Sequence, residues 1–266
     1  MKIGFMMVYN EVDWVGYAID QAVQICDRLI ICEGAQFTSH QHISERSIDG
    51  TLDIISDKIK QYTNFIELVN TVRTHSNYRN NQCDNFNNAL NKCKEGDYFL
   101  PLDVDVFYTD VFISELNTTL SYGSVDVVKV NGNNFAFSFN WKRCNSDGSF
   151  EVFNHEAAYK KISGAHFVPT HQPRNFGNSI LIFPDTIFHY TWVKPYDRMR
   201  VRMETSNFTT GMLKWFDDNW NRVKLIEGRP QLSHLGNMFS LKKYLGTHPS
   251  VLKDHPWLNV NDIRSL

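Results

Sequence analysis

Three apolar runs constrain this chain more than any other feature: KIGFMMVY at 2–9, RLIIC at 28–32 and YFLPL at 98–102. None of them alternates with polar residues. A strand with one wet face alternates, so an unbroken apolar strand must be covered on both faces, as in a parallel sheet between helices. Helical periodicity fills the intervals. Val15, Ala18, Ile19, Ala22 and Val23 recur at helical spacing after the first run, and Leu52, Ile55 and Ile59 after the second. A further strand, FIELVNTV at 65–72, precedes a stripe of Phe86, Ala89, Leu90 and Cys93. Asp110 opens another helical segment reaching Leu120, with its acid at the favourable end of the helix dipole. Strand and helix in this order predict a layered α/β fold with a mostly parallel central sheet flanked by helices.

Beyond residue 120 the rhythm changes. Short strands are predicted at 125–130, 135–139, 166–168, 180–183 and 188–193, with one helical piece near 155–161. From Pro195 a long charged and aromatic helix is predicted through about residue 220. The tail carries Leu225, Leu232, Leu235, Met238 and Phe239 and reads as a weakly packed extension. The expected organisation is one domain over 1–200, with halves at 1–120 and 121–200, followed by a helical extension over 201–266.

Lys plus Arg number 27 against 29 Asp plus Glu, a formal net charge of −2, so the chain lacks the basic surplus of a nucleic-acid coat. The local cluster of Lys194, Arg198, Arg200 and Arg202 does not change this. On a helix, positions two apart diverge, so these arginines should not form one stripe. There are five cysteines and no Cys-x-x-Cys. Cys26 and Cys32 flank an apolar strand, which predicts buried thiols and a reducing compartment. MKIGFMMVYN passes directly into a strand pattern rather than a secretory leader, and no apolar run has membrane-span length. The expected location is cytoplasmic, with peripheral membrane contact open.

The sharpest local motif is YFLPLDVDVF at 98–107, where a strand runs into Asp103 and Asp105. Ligands of open α/β sheets bind outside the carboxyl ends of the strands. If the chain stays extended, side chains at i and i+2 share a face, and both carboxylates reach one cation. Mg²⁺ and Mn²⁺ take oxygen ligands and are often completed by substrate phosphates. For an isolated Asp-x-Asp, which is common by chance, a solvated turn capped by two acids is the better explanation.

The order of several segments narrows the choice. MMVYNEVDWV at 6–15, IICEG at 30–34, SIDGT at 47–51, RNNQCDNFNNAL at 79–90, YFLPLDVDVF at 98–107 and FHYTWVKP at 188–195 together resemble a family 2 type glycosyltransferase with the GT-A fold. The resemblance implies that Tyr9, Asn10 and Glu11 lie beside the base and ribose of a nucleotide sugar, and that Glu33 contacts the nucleoside. The polar connection at 33–49 is longer than the family pattern and separates Asp49 from its expected role. Arg79 and Lys194 are implied near the diphosphate. Asp103 and Asp105 match the metal motif for Mn²⁺ or Mg²⁺, with His189 completing the shell and Asp105 central to catalysis. Tyr190 and Trp192 are expected to share a face opposite His189, as packing residues.

The general base implied for the acceptor side is Glu156, at an expected loop-to-helix transition, with Glu151 and Asp185 as other acids available. The implied reaction moves a sugar, foremost from a UDP-sugar, to an acceptor hydroxyl with inversion. Surface glycan or a lipid-linked sugar is the foremost acceptor class, with protein and modified nucleic acid also open. Two other readings compete. A nucleotidyltransferase would carry a Gly-rich basic loop after the first strand, where YNEVDW stands. A non-catalytic glycan-binding protein would use the same fold without turnover.

Overall fold

In the computed structural model the apolar runs become β1 (Lys2–Val8), β2 (Arg28–Glu33) and β4 (Tyr98–Pro101), with β3 (Ile66–Asn70) between the last two in sequence. The structure describes residues 1–36, 43–145, 147–169, 172–205, 210–232 and 238–266. The four strands pair in parallel in the order β3-β2-β1-β4. They are joined by α1 (Val15–Ile25), α2 (Thr51–Gln61) and α3 (Tyr78–Leu90). Pro101 is tolerated because it is the last residue of its strand, and the next backbone N–H, of Leu102, resumes the ladder by donating to Phe5 O at 2.8 Å. The chain steps outward from β1 to β2 and β3, then jumps back to β4 on the other side of β1. That reversal opens a crevice at the carboxyl ends of β1 and β4.

The sheet continues with β5 (Val106–Tyr108), β6 (Val127–Ala136), β7 (Trp141–Asn145), β8 (Val152–Lys160) and β11 (Ile180–Trp192). β8 lies antiparallel between β4 and β6, and β11 runs parallel to β6 and antiparallel to β5. The fold is therefore mixed α/β, with a mostly parallel central sheet flanked by helices and extended by antiparallel strands. α4 (Asp110–Tyr122) starts on Thr109, whose Oγ1 accepts from Phe112 N, and ends at Gly123 in the left-handed region. A separate hairpin, β9 (His166–Val168) and β10 (Gln172–Arg174), folds over α3.

Each sheet face carries an aromatic core. On one, Trp14 of the α1 entrance packs on Phe107, Phe139, Tyr190, His255 and Trp257, with ring centroids 4.5–5.8 Å apart. On the other, Phe5, Phe86, Phe99 and Phe167 pack beneath α3. A third cluster holds Phe137, Trp192, Met199, Phe216 and Trp220, where α5 (Tyr196–Thr205) and α6 (Thr210–Asn219) meet the sheet edge.

Several expectations are corrected. Residues 155–161 belong mostly to β8, not to a helix. AAYK favours a helix locally, but pairing with β4 and β6 overrides that preference. The strands expected at 125–130 and 135–139 are largely the single strand β6. The long helix is divided into α5 and α6, and residues 206–209 lie outside the described residues. The tail is not weakly packed. After the turn at Trp220–Arg222 the chain returns as β12 (Gln231–Leu232) and β13 (Met238–Lys243), and β13 extends the sheet along β7. Leu252, Trp257 and Ile263 then bury in the Trp14 core. Leu235 and residues 37–42 of the polar connection lie outside the described residues. All five cysteines are free and buried. No described helix is long and apolar enough to cross a membrane.

Gly132 on β6 sits where β11 changes register, between Phe183 and Ile187. A Cβ there would lie 2.0 Å from the Ile187 carbonyl oxygen. Gly132→Ala must therefore push two paired strands apart and is expected to cost about 3 kcal/mol or more. Urea unfolding checks this, and an unchanged midpoint would contradict the strand contact.

The core also holds two neutral histidines. His255 donates from Nε2 to Asp13 O at 3.1 Å and accepts at Nδ1 from Trp257 N–H at 3.1 Å. His248 accepts at Nδ1 from the Tyr190 hydroxyl at 2.7 Å. Burial pushes both down to about 4. The unfolded imidazoles take up protons near their ordinary value of 6.5, so unfolding binds protons between those pH values. Stability should hold above roughly pH 6.5 and fall as pH drops toward 4, each histidine contributing up to about one proton to the slope. Urea midpoints from pH 7.5 down to 4.5 test this, and a flat profile is the contrary result.

Candidate active site

The crevice wall begins where β1 ends. Asn10 turns the chain in the left-handed region, at φ 52, which its short amide side chain tolerates. The segment SIDGT holds this turn. Asn10 N–H donates to Ser47 Oγ at 2.8 Å, Glu11 N–H to Thr51 Oγ1 at 2.8 Å, and Val12 N–H to Asp49 Oδ2 at 3.1 Å. Glu33, fully buried at the end of β2, accepts from Ser47 N–H at 2.7 Å and from Arg46 Nε. The Tyr9 hydroxyl donates to Ser44 O at 2.8 Å. In this structure Tyr9, Asn10, Glu33 and Asp49 thus have a definite task, which is to brace the loop after β1 against the segment at 44–51.

A cleft opens beside this wall. Tyr9, Asn10 and Glu11 line one side, Tyr78 and Val104 another. The third side comes from beyond β11: Lys194, and Arg198 and Arg202 of α5. Arg198 and Arg202 are four residues apart and share the helix face turned to the cleft. Arg200 points away, bonding Glu204 at 3.1 Å and pairing with Asp217. The three arginines form no single stripe, as their spacing predicts.

At the inner end of the cleft lies a buried ionic quartet. Lys194 Nζ donates to Glu11 Oε2 at 2.6 Å and sits 3.5 Å from Asp105 Oδ2. Arg202 reaches Glu11 Oε1 at 3.3 Å and Asp105 Oδ2 at 3.8 Å. The Thr191 hydroxyl lies 2.9 Å from Asp105 Oδ2. Burial alone would raise the Asp105 pKa, but Arg202, Lys194, His189 and the Thr191 hydrogen bond together hold it well below the usual carboxylate range. Asp105 is therefore an anion held between two fixed cations.

The antiparallel pairing of β5 with β11 brings His189 to Asp105, with Nε2 3.8 Å from Oδ1. His189 Nδ1 contacts the Asn134 side-chain amide at 2.6 Å and Nε2 contacts Thr191 Oγ1. Burial pushes the ring down to about 4, so it is neutral at pH 7. Thr191 has one hydroxyl proton, directed to Asp105. Both ring nitrogens are thus engaged, Nδ1 at Asn134 Oδ1 and Nε2 at Thr191 Oγ1. Tyr190 and Trp192 are buried as expected, but in different cores, because a register shift in β11 intervenes between His189 and Trp192.

Asp103 differs from Asp105 in exposure. The chain turns here, with Val106 N–H donating to Asp103 O at 3.2 Å, so the extended geometry that would align the carboxylates is absent. The Asp103 side chain is 51% exposed and lies 3.8 Å from His155 Nδ1. His155 Nε2 donates to Pro101 O at 3.1 Å, which turns Nδ1 toward Asp103. Among the described residues, no three His, Cys, Asp or Glu side chains gather as a metal site. A divalent cation on Asp105 would face Lys194 and Arg202, and His189 Nε2 is already in contact with Thr191 Oγ1. The residues expected to hold Mn²⁺ or Mg²⁺ do not fit it in this arrangement.

The predicted base is also displaced. Glu156 lies on β8, one residue from His155 and therefore on the opposite face, 3.9 Å from Lys129 and beside Tyr159. Glu151 pairs with Arg143 at 3.0 Å, and Asp185 sits in a positive-φ bend of β11. Among the described residues, none of these acids lines the cleft. Arg79 is exposed on the first turn of α3, while its neighbour Tyr78 lines the cleft. Sequence reasoning overlooked Arg202 and His155. The i, i+4 spacing of Arg198 and Arg202 after Pro195, and the alternation of Phe153 with His155, were the available signals.

No family model matches the chain, and no curated protein matches it. Among solved structures it is similar to residues 1–349 of S. aureus TarS, with 12% identity over 81% of this chain and 69% of that one, TM-score 0.44. The same TarS fragment in complex with UDP-GlcNAc gives 13% identity over 81% and 70%, TM-score 0.44. Mannose-6-phosphate isomerase from Helicobacter pylori is similar at 7% identity over 61% of each chain, TM-score 0.33.

Lys194→Met leaves Glu11 and Asp105 with fewer counter-charges in a buried site and is expected to cost about 3–5 kcal/mol. Adding Glu11→Gln removes one stranded charge and should restore part of that loss. Urea unfolding of the two variants decides the point; equal losses would show that Glu11 and Lys194 are not coupled.

Proposed function

We propose that this chain is a glycosyltransferase that moves a sugar from a nucleoside-diphosphate sugar, foremost a UDP-sugar, to an acceptor hydroxyl. The observation that carries this reading is the cleft at the β1–β4 reversal, where Tyr9 and Tyr78 meet Lys194, Arg198 and Arg202. Aromatic rings suit a base or sugar face, and adjoining cations suit a diphosphate. Tyr9, Asn10 and Glu11 form the nucleoside wall in this reading, with Lys194 and Arg202 toward the diphosphate.

The acceptor side is assigned to Asp103 and His155 in place of Glu156, because Asp103 adjoins the cleft residue Val104 and acts electrostatically on the cleft residues Tyr78 and Arg202. The reaction is a single displacement with inversion. The acceptor oxygen bonds to the anomeric carbon as the carbon–oxygen bond to the diphosphate breaks, and the nucleoside diphosphate leaves with that electron pair. The acceptor proton passes to His155 Nδ1, and the Asp103 carboxylate stabilises the imidazolium. Glycan or lipid-linked sugar is the foremost acceptor class, with protein and modified nucleic acid as further arms of the screen.

A panel of nucleotide sugars, assayed for free nucleoside diphosphate, tests the reading. Pyrophosphate as product would instead identify a nucleotidyltransferase, and saturable glycan binding with no turnover a binding protein. His155→Gln is expected to lower kcat by about 10²–10⁴-fold while leaving donor affinity unchanged. Steady-state kinetics paired with donor titration check this, and an unaltered kcat removes His155 from the base role.

A further inference from the structure

The unequal acid pair, one exposed and one buried, poses a chemical question, because breaking a sugar–phosphate bond leaves added negative charge on the departing diphosphate. Resting on the transferase reading, we infer that the donor diphosphate binds without a divalent cation, its charge taken by Lys194 and Arg202 with Arg198 at the rim. Four observations converge. The chain turns between Asp103 and Val106 instead of continuing as an extended strand. Asp105 is already neutralised from two sides, by Lys194 at 3.5 Å and Arg202 at 3.8 Å. His189 Nε2 is committed to Thr191. The same two bases that neutralise Asp105 also line the cleft.

Their placement is built into the backbone. Lys194 follows the last residues of β11, and Pro195 then starts α5, which brings Arg198 and Arg202 to the cleft one turn apart. The acids facing these bases are Glu11 and Asp105 in the quartet, and Asp13 and Asp49 beside Arg198. These acids hold the bases in position before any ligand arrives. Lys194 has three N–H donors, of which Glu11 takes one and Asp105 faces another. Cations already fixed in place need no reorganisation as charge develops on the diphosphate, which is the condition for strong electrostatic stabilisation.

Calorimetric titration with inorganic pyrophosphate and with UDP, each in EDTA and in Mn²⁺, tests the inference. The wild type is expected to bind both with equal affinity in the two buffers. Arg202→Gln changes a side chain 33% exposed on a helix and is the first variant. It should weaken pyrophosphate binding about tenfold or more in EDTA. Lys194→Met combined with Glu11→Gln, which keeps the buried charge balanced, should do the same, with its unfolding midpoint recorded alongside. Binding that requires Mn²⁺, or an Arg202→Gln protein that binds as wild type does, overturns the inference. Sugar transfer that proceeds only with Mn²⁺ overturns it too and leaves the transferase reading standing. Cation-independent pyrophosphate binding that is lost in the variants, with no nucleotide sugar turned over, supports the anion site and removes the transferase reading.

Discussion

The buried pair between Glu11 and Lys194 joins residues 183 positions apart, from the end of β1 to the end of β11. Both side chains are nearly inaccessible, at 5% and 3% exposure. Charges removed from water need partners with good geometry, and each of these has a second partner in Arg202 or Asp105. The result is one closed network in which β1, the turn before β5, β11 and α5 share their polar contacts. The cleft has its shape because these four segments are bound to one another at its inner end.

The surrounding core makes that network rigid. Trp14 lies three residues after Glu11, and Tyr190 four residues before Lys194. Their rings stack at 5.2 Å, so the ionic contact and the aromatic contact connect the same two segments. His255 and Trp257, from the C-terminal segment, close over Trp14. The tail thus supports the cleft indirectly, by packing the residue next to its wall.

The polar chemistry divides along the strands. β8 presents His155 toward Asp103 and carries Glu156 away from it, because neighbouring residues on a strand face opposite sides. β11 and β5 place His189 and Thr191 beside Asp105. Asp103 stands near solvent with an imidazole, while Asp105 is buried with two cations. Two carboxylates separated by one residue therefore differ sharply in burial.

The sequence by itself determined the parallel strands β1 to β4 and the helices between them, because unbroken apolar runs and helical stripes report burial directly. It also located the acid pair at a strand end and indicated that Arg198, Arg200 and Arg202 would diverge. What it left undecided depended on distant partners. Whether AAYK is helix or strand was settled by the edges of β4 and β6, which local propensity does not register. Glu33 and Asp49 became braces because the segment at 44–51 folds back onto β1. Asp105 became one member of a quartet because strand pairing and the turn into α5 deliver Lys194 and Arg202 from roughly ninety residues downstream. Charge in a folded site is set by what packs around it, and that is a property of tertiary structure rather than of spacing.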